Sequence, residues 1–323
     1  MEIRPGLHRV QAPLEERFVA LYLLVGDDAA LLVDTGVPAS ITETLLPYLD
    51  ESGIGREKLK WAVNTHCDWD HTGGNRALKE ALPHVQIMAG EADVPLVENV
   101  SALIDSRYGE FIETDGFVDP PELTSWILEV AQLVPVDRPL AGGEEFDLGG
   151  RSVTVLHVPG HSPGHVAVHD PENRALMIGD ATLGATVPFA DGSPAFPPTY
   201  RDTADYVASI QAFRALDAEL LLTAHYPVYE GEGVAAFLDE SEAYTARVDD
   251  VMERMLRAQA APSTTLELIR AAGDALGPWP PEALDYSIFP VTGNLERMEE
   301  RGLAASATDA DGRRRWTWTG DAA

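Results

Sequence analysis

The sequence predicts a layered α/β (α+β) protein, on three observations. Apolar runs of strand length come first in succession, then alternate with helically spaced segments. Several of these runs end in His or Asp followed by Gly or Pro. Hydrophobic residues make up 45% of the 323 positions, enough to bury a core. The length exceeds what one ordinary domain needs, so a large domain and a small one are expected.

Taken in order, Leu7 to Ala12 and Phe18 to Val25 read as strands, with Gly26-Asp27-Asp28 as a turn. Ala29 to Val33 is a wholly apolar strand that runs into Asp34-Thr35-Gly36. Ser40 to Leu49 has helical spacing, with Ser40 as its cap and Gly53 beyond its end. The strand Lys60 to Asn64, the helix Asn75 to Leu82 and the strand Val85 to Ala89 follow. The rhythm breaks over 91–139, an acidic stretch with Tyr108, Phe111, Phe117 and Trp126 around Pro120-Pro121. It reads as a helical insertion, either a lid over a pocket or a cover for the sheet.

Ser152 to Val158 resumes the sheet. Val166 to His169 and Arg174 to Ile178 are strands joined by the turn-rich Asp170-Pro171-Glu172-Asn173. Thr186 to Tyr200 is a Pro/aromatic loop, Asp202 to Leu216 a helix capped near Asp202, and Leu220 to Thr223 the last strand. The tail offers a helix over Glu242 to Gln259, a second capped by Ser263-Thr264-Thr265-Leu266-Glu267, and a third over Asn294 to Gly302. Asp309 to Thr319 reads as a hairpin turning at Asp311-Gly312. The expected division is a catalytic domain over 1–240 and a C-terminal module over 241–323.

Function concentrates in Thr65-His66-Cys67-Asp68-Trp69-Asp70-His71-Thr72-Gly73-Gly74, between a strand end and a helix start. Open α/β sheets hold their ligands at such points. Carboxylates this close repel, and buried ones must be paired, protonated or metal-bound. Imidazole with carboxylate is the donor set of Zn, Fe or Mn. Three further strand ends deliver His161, Asp180 and His225. A lone histidine is commonly structural, but the recurrence of strand, then His or Asp, then Gly or Pro has no such account.

Composition narrows the partners. A formal net charge of -30 repels phosphate backbones and anionic membranes, which disfavours nucleic acid. The single cysteine, Cys67, leaves no internal disulfide and fits a reducing compartment. No secretory leader and no apolar run of about 18 residues is present, so a cytoplasmic protein without a membrane span is expected.

Leu32-Val33-Asp34-Thr35-Gly36, the His/Asp cluster, Pro159-Gly160-His161-Ser162-Pro163-Gly164-His165, Ile178-Gly179-Asp180 and Ala224-His225 together resemble the metallo-β-lactamase superfamily, over roughly residues 7 to 232. The resemblance implies an αββα sandwich with a two-metal site at one edge. It implies that His66, Asp68 and His161 hold one ion and Asp70, His71 and His225 the other, with Asp180 bridging and Asp34 orienting the site. His165 falls where the superfamily usually has no ligand. Asp68 stands where its pattern usually has a second histidine, which makes that site harder and more negative. Two divalent ions are expected, zinc first, with Fe or Mn made more credible by Asp68. Three helices and a hairpin make the tail similar to the winged-helix tail of lactamase-like proteins of the β-lactamase-2 type. It is read as a packing or dimerisation module, so a homodimer is among the expected assemblies.

The implied activity is hydrolysis by a metal-activated hydroxide, with Asp70 also orienting the nucleophile and accepting its proton. Tyr200 and Tyr226 are candidates for pocket or oxyanion contacts. Aromatics in the insertion and in the loop Val187-Pro188-Phe189 through Phe196-Pro197-Pro198 point to a partly apolar small-molecule acyl substrate: an ester, thioester or lactone. The alternatives are an endoribonuclease of the lactamase-like type, which Arg313-Arg314-Arg315 and the tail would serve, an iron-dependent oxidoreductase or dioxygenase, and a non-catalytic binding protein on the same fold.

Overall fold

A computed structural model describes residues 1–320. Two sheets face each other. The first has seven strands in the order β1 (Glu2–Arg4), β2 (Leu7–Leu14), β3 (Arg17–Val25), β4 (Ala30–Val33), β5 (Leu59–Asn64), β6 (Gln86–Gly90) and β7 (Arg138–Leu140). Its first four strands pair antiparallel, and β4 through β7 run parallel. The second sheet contains β8 (Glu145–Asp147), β9 (Ser152–His157), β10 (Val166–Asp170) and β11 (Ala175–Gly179). A hairpin of β12 (Val187–Pro188) and β13 (Pro194–Phe196) stands apart. The second sheet is completed by β14 (Leu220–Thr223), parallel to β11, and β15 (Tyr229–Glu230).

Period-two alternation assigns each strand's side chains to two layers. In β3, Ala20, Tyr22 and Leu24 enter the layer between the sheets, where they meet Val153, Val155, Val166 and Met177. Val19, Leu21 and Leu23 face outward against the helical segments that carry Ile41, Leu45, Leu49 and Leu78. In the second sheet Leu176, Ile178 and Leu221 face outward, onto Tyr206, Ile210 and Phe213 of the helix Thr203–Ala215. Helices therefore cover both sheets, and the architecture is the αββα sandwich.

The insertion is helical as expected. It runs through Val94–Glu98, Val100–Leu103, the wide turn Ile104–Tyr108 and Pro121–Val130 before β7 closes the sheet edge. The tail consists of the helices Glu232–Ala258, Thr265–Ala272 and Ile288–Glu300 and the hairpin β16 (Ala304–Thr308) with β17 (Arg314–Trp318). Thr264 and Glu267 close a reciprocal cap at the second helix. Position 240 lies inside the helix Glu232–Ala258, and Leu295 and Trp316 share one apolar cluster with Leu221 and Phe237. The tail thus packs on the second sheet's outer layer.

One local expectation needs correcting. Ser40 does not cap the helix that follows; its hydroxyl accepts the Val37 N–H at 3.1 Å. Glu145 and Asp147 are exposed and flank the buried Phe146 in the short edge strand β8. Among the described residues, no helix is long and apolar enough to cross a membrane.

Candidate metal centre

The sheets bring their strand ends to one edge. Val166 N–H donates to Thr65 O at 2.7 Å and Ala20 N–H to Ala224 O at 2.8 Å, tying the loops of the two sheets together there. Gly179 ends β11 with φ +51, a conformation that glycine adopts without strain. A Cβ at this position would lie 2.4 Å from Thr65 Oγ1. The close approach sets Asp180 beside the histidine cluster.

Each histidine of the cluster is held by one ring nitrogen. His71 Nδ1 lies 2.8 Å from Asp34 Oδ2, and His225 Nδ1 lies 2.9 Å from Phe18 O. Both partners are acceptors, so Nδ1 carries a proton and Nε2 is the nitrogen that faces inward. His66 Nδ1 lies 3.0 Å from Thr65 Oγ1, whose hydroxyl also meets Asp34. Asp34 accepts the Thr65 N–H at 2.7 Å as well, and holds this place with φ +63.

The inward atoms converge. His225 Nε2 is 3.4 Å from both Asp70 Oδ2 and Asp180 Oδ2, and His71 Nε2 is 3.7 Å from Asp180 Oδ2. Four tetrahedral donors around an ion at about 2.0–2.2 Å would stand about 3.3–3.6 Å apart. Among the described residues, three overlapping groups have donor atoms within 4.8 Å of one another: Asp70, His71 and His225; His66, His71 and Asp180; and His66, Asp68 and His161. His66 Nε2, His71 Nε2 and Asp180 Oδ1 are buried without a hydrogen-bond partner. Unmet buried polar atoms are costly, and a divalent cation held by His71 and Asp180 would satisfy two of them. The donor set therefore fits a divalent metal.

Charge points the same way. Burial opposes protonation of His71, yet Asp34, Asp70 and Asp180 outweigh it and raise its pKa to about 10. Burial would lift the Asp180 carboxyl, but His225 and His71 hold it well below the usual carboxylate range. Negative charge thus accumulates on this side and calls for a cation. Cys67 is buried, and burial with Asp93 and Asp68 pushes its thiol far up, so it is no nucleophile.

The third group differs. Asp68 Oδ2 is only 3.0 Å from His161 Nε2, a hydrogen-bond distance, and the Arg107 guanidinium forks onto the same carboxylate. Burial raises the Asp68 carboxyl, but Arg107, His161 and His66 bring it well below its ordinary value. Burial, together with Arg107, lowers the pKa of His161 to about 4. The His161 loop is pinned by Asp93, which accepts Ser162 Oγ–H at 2.5 Å and Gly164 N–H at 2.7 Å. His165 stacks on His66 at 4.8 Å with neither ring nitrogen bonded, and burial keeps it neutral.

A cavity of about 160 Å³ opens onto Asp68, Asp70, Asp180 and His225. Leu123 and Ile127 of the insertion form one wall, Val187 and Phe196 of the hairpin another, and Tyr286 and Phe289 of the tail a third. Tyr200 and Tyr226 do not line it. Tyr200 Oη donates to Asn294 Oδ1 at 2.8 Å, and Tyr226 Oη donates to the carbonyls of Leu183 and Thr186. Both rings are core residues rather than pocket or oxyanion contacts. Sequence reasoning missed Arg107, Asp93, Asp119 and Phe289. It marks Tyr108 as an insertion aromatic but not as a site residue; the Tyr108 hydroxyl lies 3.2 Å from Asp68 Oδ1.

The profile described as Metallo-beta-lactamase superfamily matches residues 14–225. The acyl-coenzyme A thioesterase MBLAC2 of Gallus gallus is 29% identical over 238 residues, 68% of this chain and 78% of that protein. The hydroxyacylglutathione hydrolase of Hyphomonas neptunium is 32% identical over 141 residues, 42% of this chain and 39% of that protein. Among solved structures, a metallo-beta-lactamase family protein of Thermus thermophilus aligns with a TM-score of 0.74 at 23% identity, covering 98% of this chain and 100% of that one. A beta-lactamase domain protein of Burkholderia ambifaria aligns with a TM-score of 0.76 at 20% identity, covering 99% and 94%. The two structures share the fold, the tail included, and the profile spans most of the sandwich and its strand-end residues. The chain belongs to the metallo-beta-lactamase superfamily.

Proposed function

We propose that this hydrolase cleaves acyl thioesters, with a divalent cation, zinc first, held by Asp70, His71, Asp180 and His225. One observation carries the reading: a cavity with largely apolar walls opens directly onto Asp70, Asp180 and His225 of that set. The curated relatives named above, a thioesterase and a hydroxyacylglutathione hydrolase, support the thioester class. The family resemblance implies a second ion at His66, Asp68 and His161, and Fe or Mn as other fillings.

When bound, such a cation lowers the pKa of water and polarises a carbonyl. The chain's own residues do the rest. Asp34 fixes the ring of His71, and the Phe18 carbonyl fixes that of His225, so both lone pairs stay aimed. Asp70, at the cavity floor, orients the attacking water and accepts its proton. Leu123, Ile127, Val187 and Phe196 receive the acyl chain and exclude bulk water.

The tail's basic run argues against the endoribonuclease alternative. Arg313 is spent on the carbonyls of Ile112 and Glu113, Arg314 on Glu296 and Asp115, and Arg315 on Asp309 and Glu267. With a net charge of -30, little remains to hold phosphate. The test is a panel of acyl-coenzyme A esters, S-acylglutathiones, p-nitrophenyl esters and lactones, assayed with zinc-loaded and chelated protein. The expected result is metal-dependent turnover with the highest kcat/KM on a thioester. Faster turnover of an oxygen ester or lactone, or turnover indifferent to chelation, would overturn the reading.

A further inference from the structure

Asp68 receives a complete set of partners from its own chain. Its Oδ1 accepts Arg107 Nε–H at 3.1 Å and Tyr108 Oη–H at 3.2 Å. Its Oδ2 accepts Arg107 Nη2–H at 3.2 Å and lies 3.0 Å from His161 Nε2. A carboxylate offers about four lone-pair positions, and these contacts use all of them. His161 Nε2 also lies 3.2 Å from Arg107 Nη2. Whether it donates to Asp68 or accepts from Arg107, its one in-plane position is taken. His71 and His225 present the opposite case, with Nδ1 anchored and Nε2 facing open acceptors.

Arg107 is built into this place. Its side chain is 6% exposed and its guanidinium lies 5.0 Å from the Phe289 ring centroid, between the insertion and the tail. A buried guanidinium needs a carboxylate, and Asp68 is the one it forks onto. A cation entering at His66, Asp68 and His161 would have to break that fork and sit against a like charge in a water-poor pocket. The carboxylate in place of the usual histidine and the arginine from the insertion form a matched pair.

We propose that Arg107 is a built-in cation that takes the place of a metal ion at His66, Asp68 and His161, so that the protein holds one tight ion, at Asp70, His71, Asp180 and His225. The proposal rests on the metal site assigned under Proposed function. Arg107 is then a positioning residue that leaves a fixed positive charge on the cavity wall.

The test is metal stoichiometry, independent of turnover. Protein loaded with zinc and passed through gel filtration is analysed by native mass spectrometry, with zinc affinities from titration calorimetry. The wild type is expected to retain one ion per chain. Arg107→Gln is expected to retain two, with the second bound at least about tenfold tighter than in the wild type. Two tight ions in the wild type, or one in a folded Arg107→Gln, would overturn the proposal. His161→Ala guards against a variant that fails to fold: it should keep the single ion, and its loss there would overturn the proposal. His225→Ala should retain none. An ion that survives in His225→Ala overturns the site assigned under Proposed function, a failure distinct from that of Arg107.

Discussion

His71 Nδ1 and Asp34 Oδ2 lie 2.8 Å apart, both buried, and this one hydrogen bond decides which nitrogen of His71 faces the cluster. Asp34 Oδ1 at the same time accepts the Thr65 N–H at 2.7 Å. The residue at the end of β4 therefore sets both a ring orientation and the start of the loop that carries His66. It does so from φ +63, which few residues other than Gly, Asn and Asp tolerate.

Asp34→Asn keeps that backbone, because asparagine also accepts positive φ. It removes the charge and can present an N–H where His71 needs an acceptor. Zinc affinity, measured by competition with a chelating dye, is expected to fall roughly ten- to hundredfold while the circular dichroism spectrum is unchanged. Unchanged affinity would show that the ring needs no anchor.

Gly179→Ala attacks the close approach of the sheet edges. The added Cβ would stand 2.4 Å from Thr65 Oγ1, at a φ of +51. Thr65 links Asp34 to His66, so the displacement reaches the donors. Urea denaturation is expected to show a loss of about 2 kcal/mol or more, with weaker metal retention.

His161, Asp180 and His225 were legible because each follows an apolar strand and has a Gly or Pro within two residues, as at Gly179-Asp180 and His225-Tyr226-Pro227. A strand's direction fixes where its end falls, so parallel strands had to bring these residues to one edge. Arg107 was not legible. It sits 39 residues from Asp68 in an insertion without a clear period, and nothing local says which carboxylate it meets. Tyr200 and Tyr226 misled because proximity in sequence to a loop or a ligand says nothing of where a ring points. The tail's helices and hairpin were readable from caps and turn residues, whereas its contribution of Phe289 to the cavity depends on packing alone.

Leu123→Trp tests the acyl wall. The larger ring would project from the wall that Leu123 shares with Ile127 and fill part of the cavity. KM for a long-chain acyl thioester is expected to rise about tenfold, with little change for acetyl. An equal effect on both would place the acyl chain elsewhere.

Glu296 ties the tail to the catalytic layers. It accepts Arg201 Nη1–H at 2.6 Å and Arg314 Nη1–H at 2.7 Å. Burial opposes its ionisation, but those two arginines win and hold its carboxyl below the ordinary value of 4.5. A depressed carboxylate stabilises the fold above its unfolded pKa, and that stability is lost as pH falls through the folded value. Glu296→Gln should therefore be less stable at pH 7 by about 1 kcal/mol at most, since the side chain is 35% exposed. The gap should close as pH drops below 4.5. Paired thermal melts across that range measure it, and a gap independent of pH would contradict the linkage.

The most direct measurement is anomalous diffraction at the zinc edge from crystals grown with zinc. The expected result is a single strong peak within about 2.0–2.2 Å of His71 Nε2, His225 Nε2 and carboxylate oxygens of Asp70 and Asp180. No peak there, or a peak enclosed by His66, Asp68 and His161 instead, would contradict it.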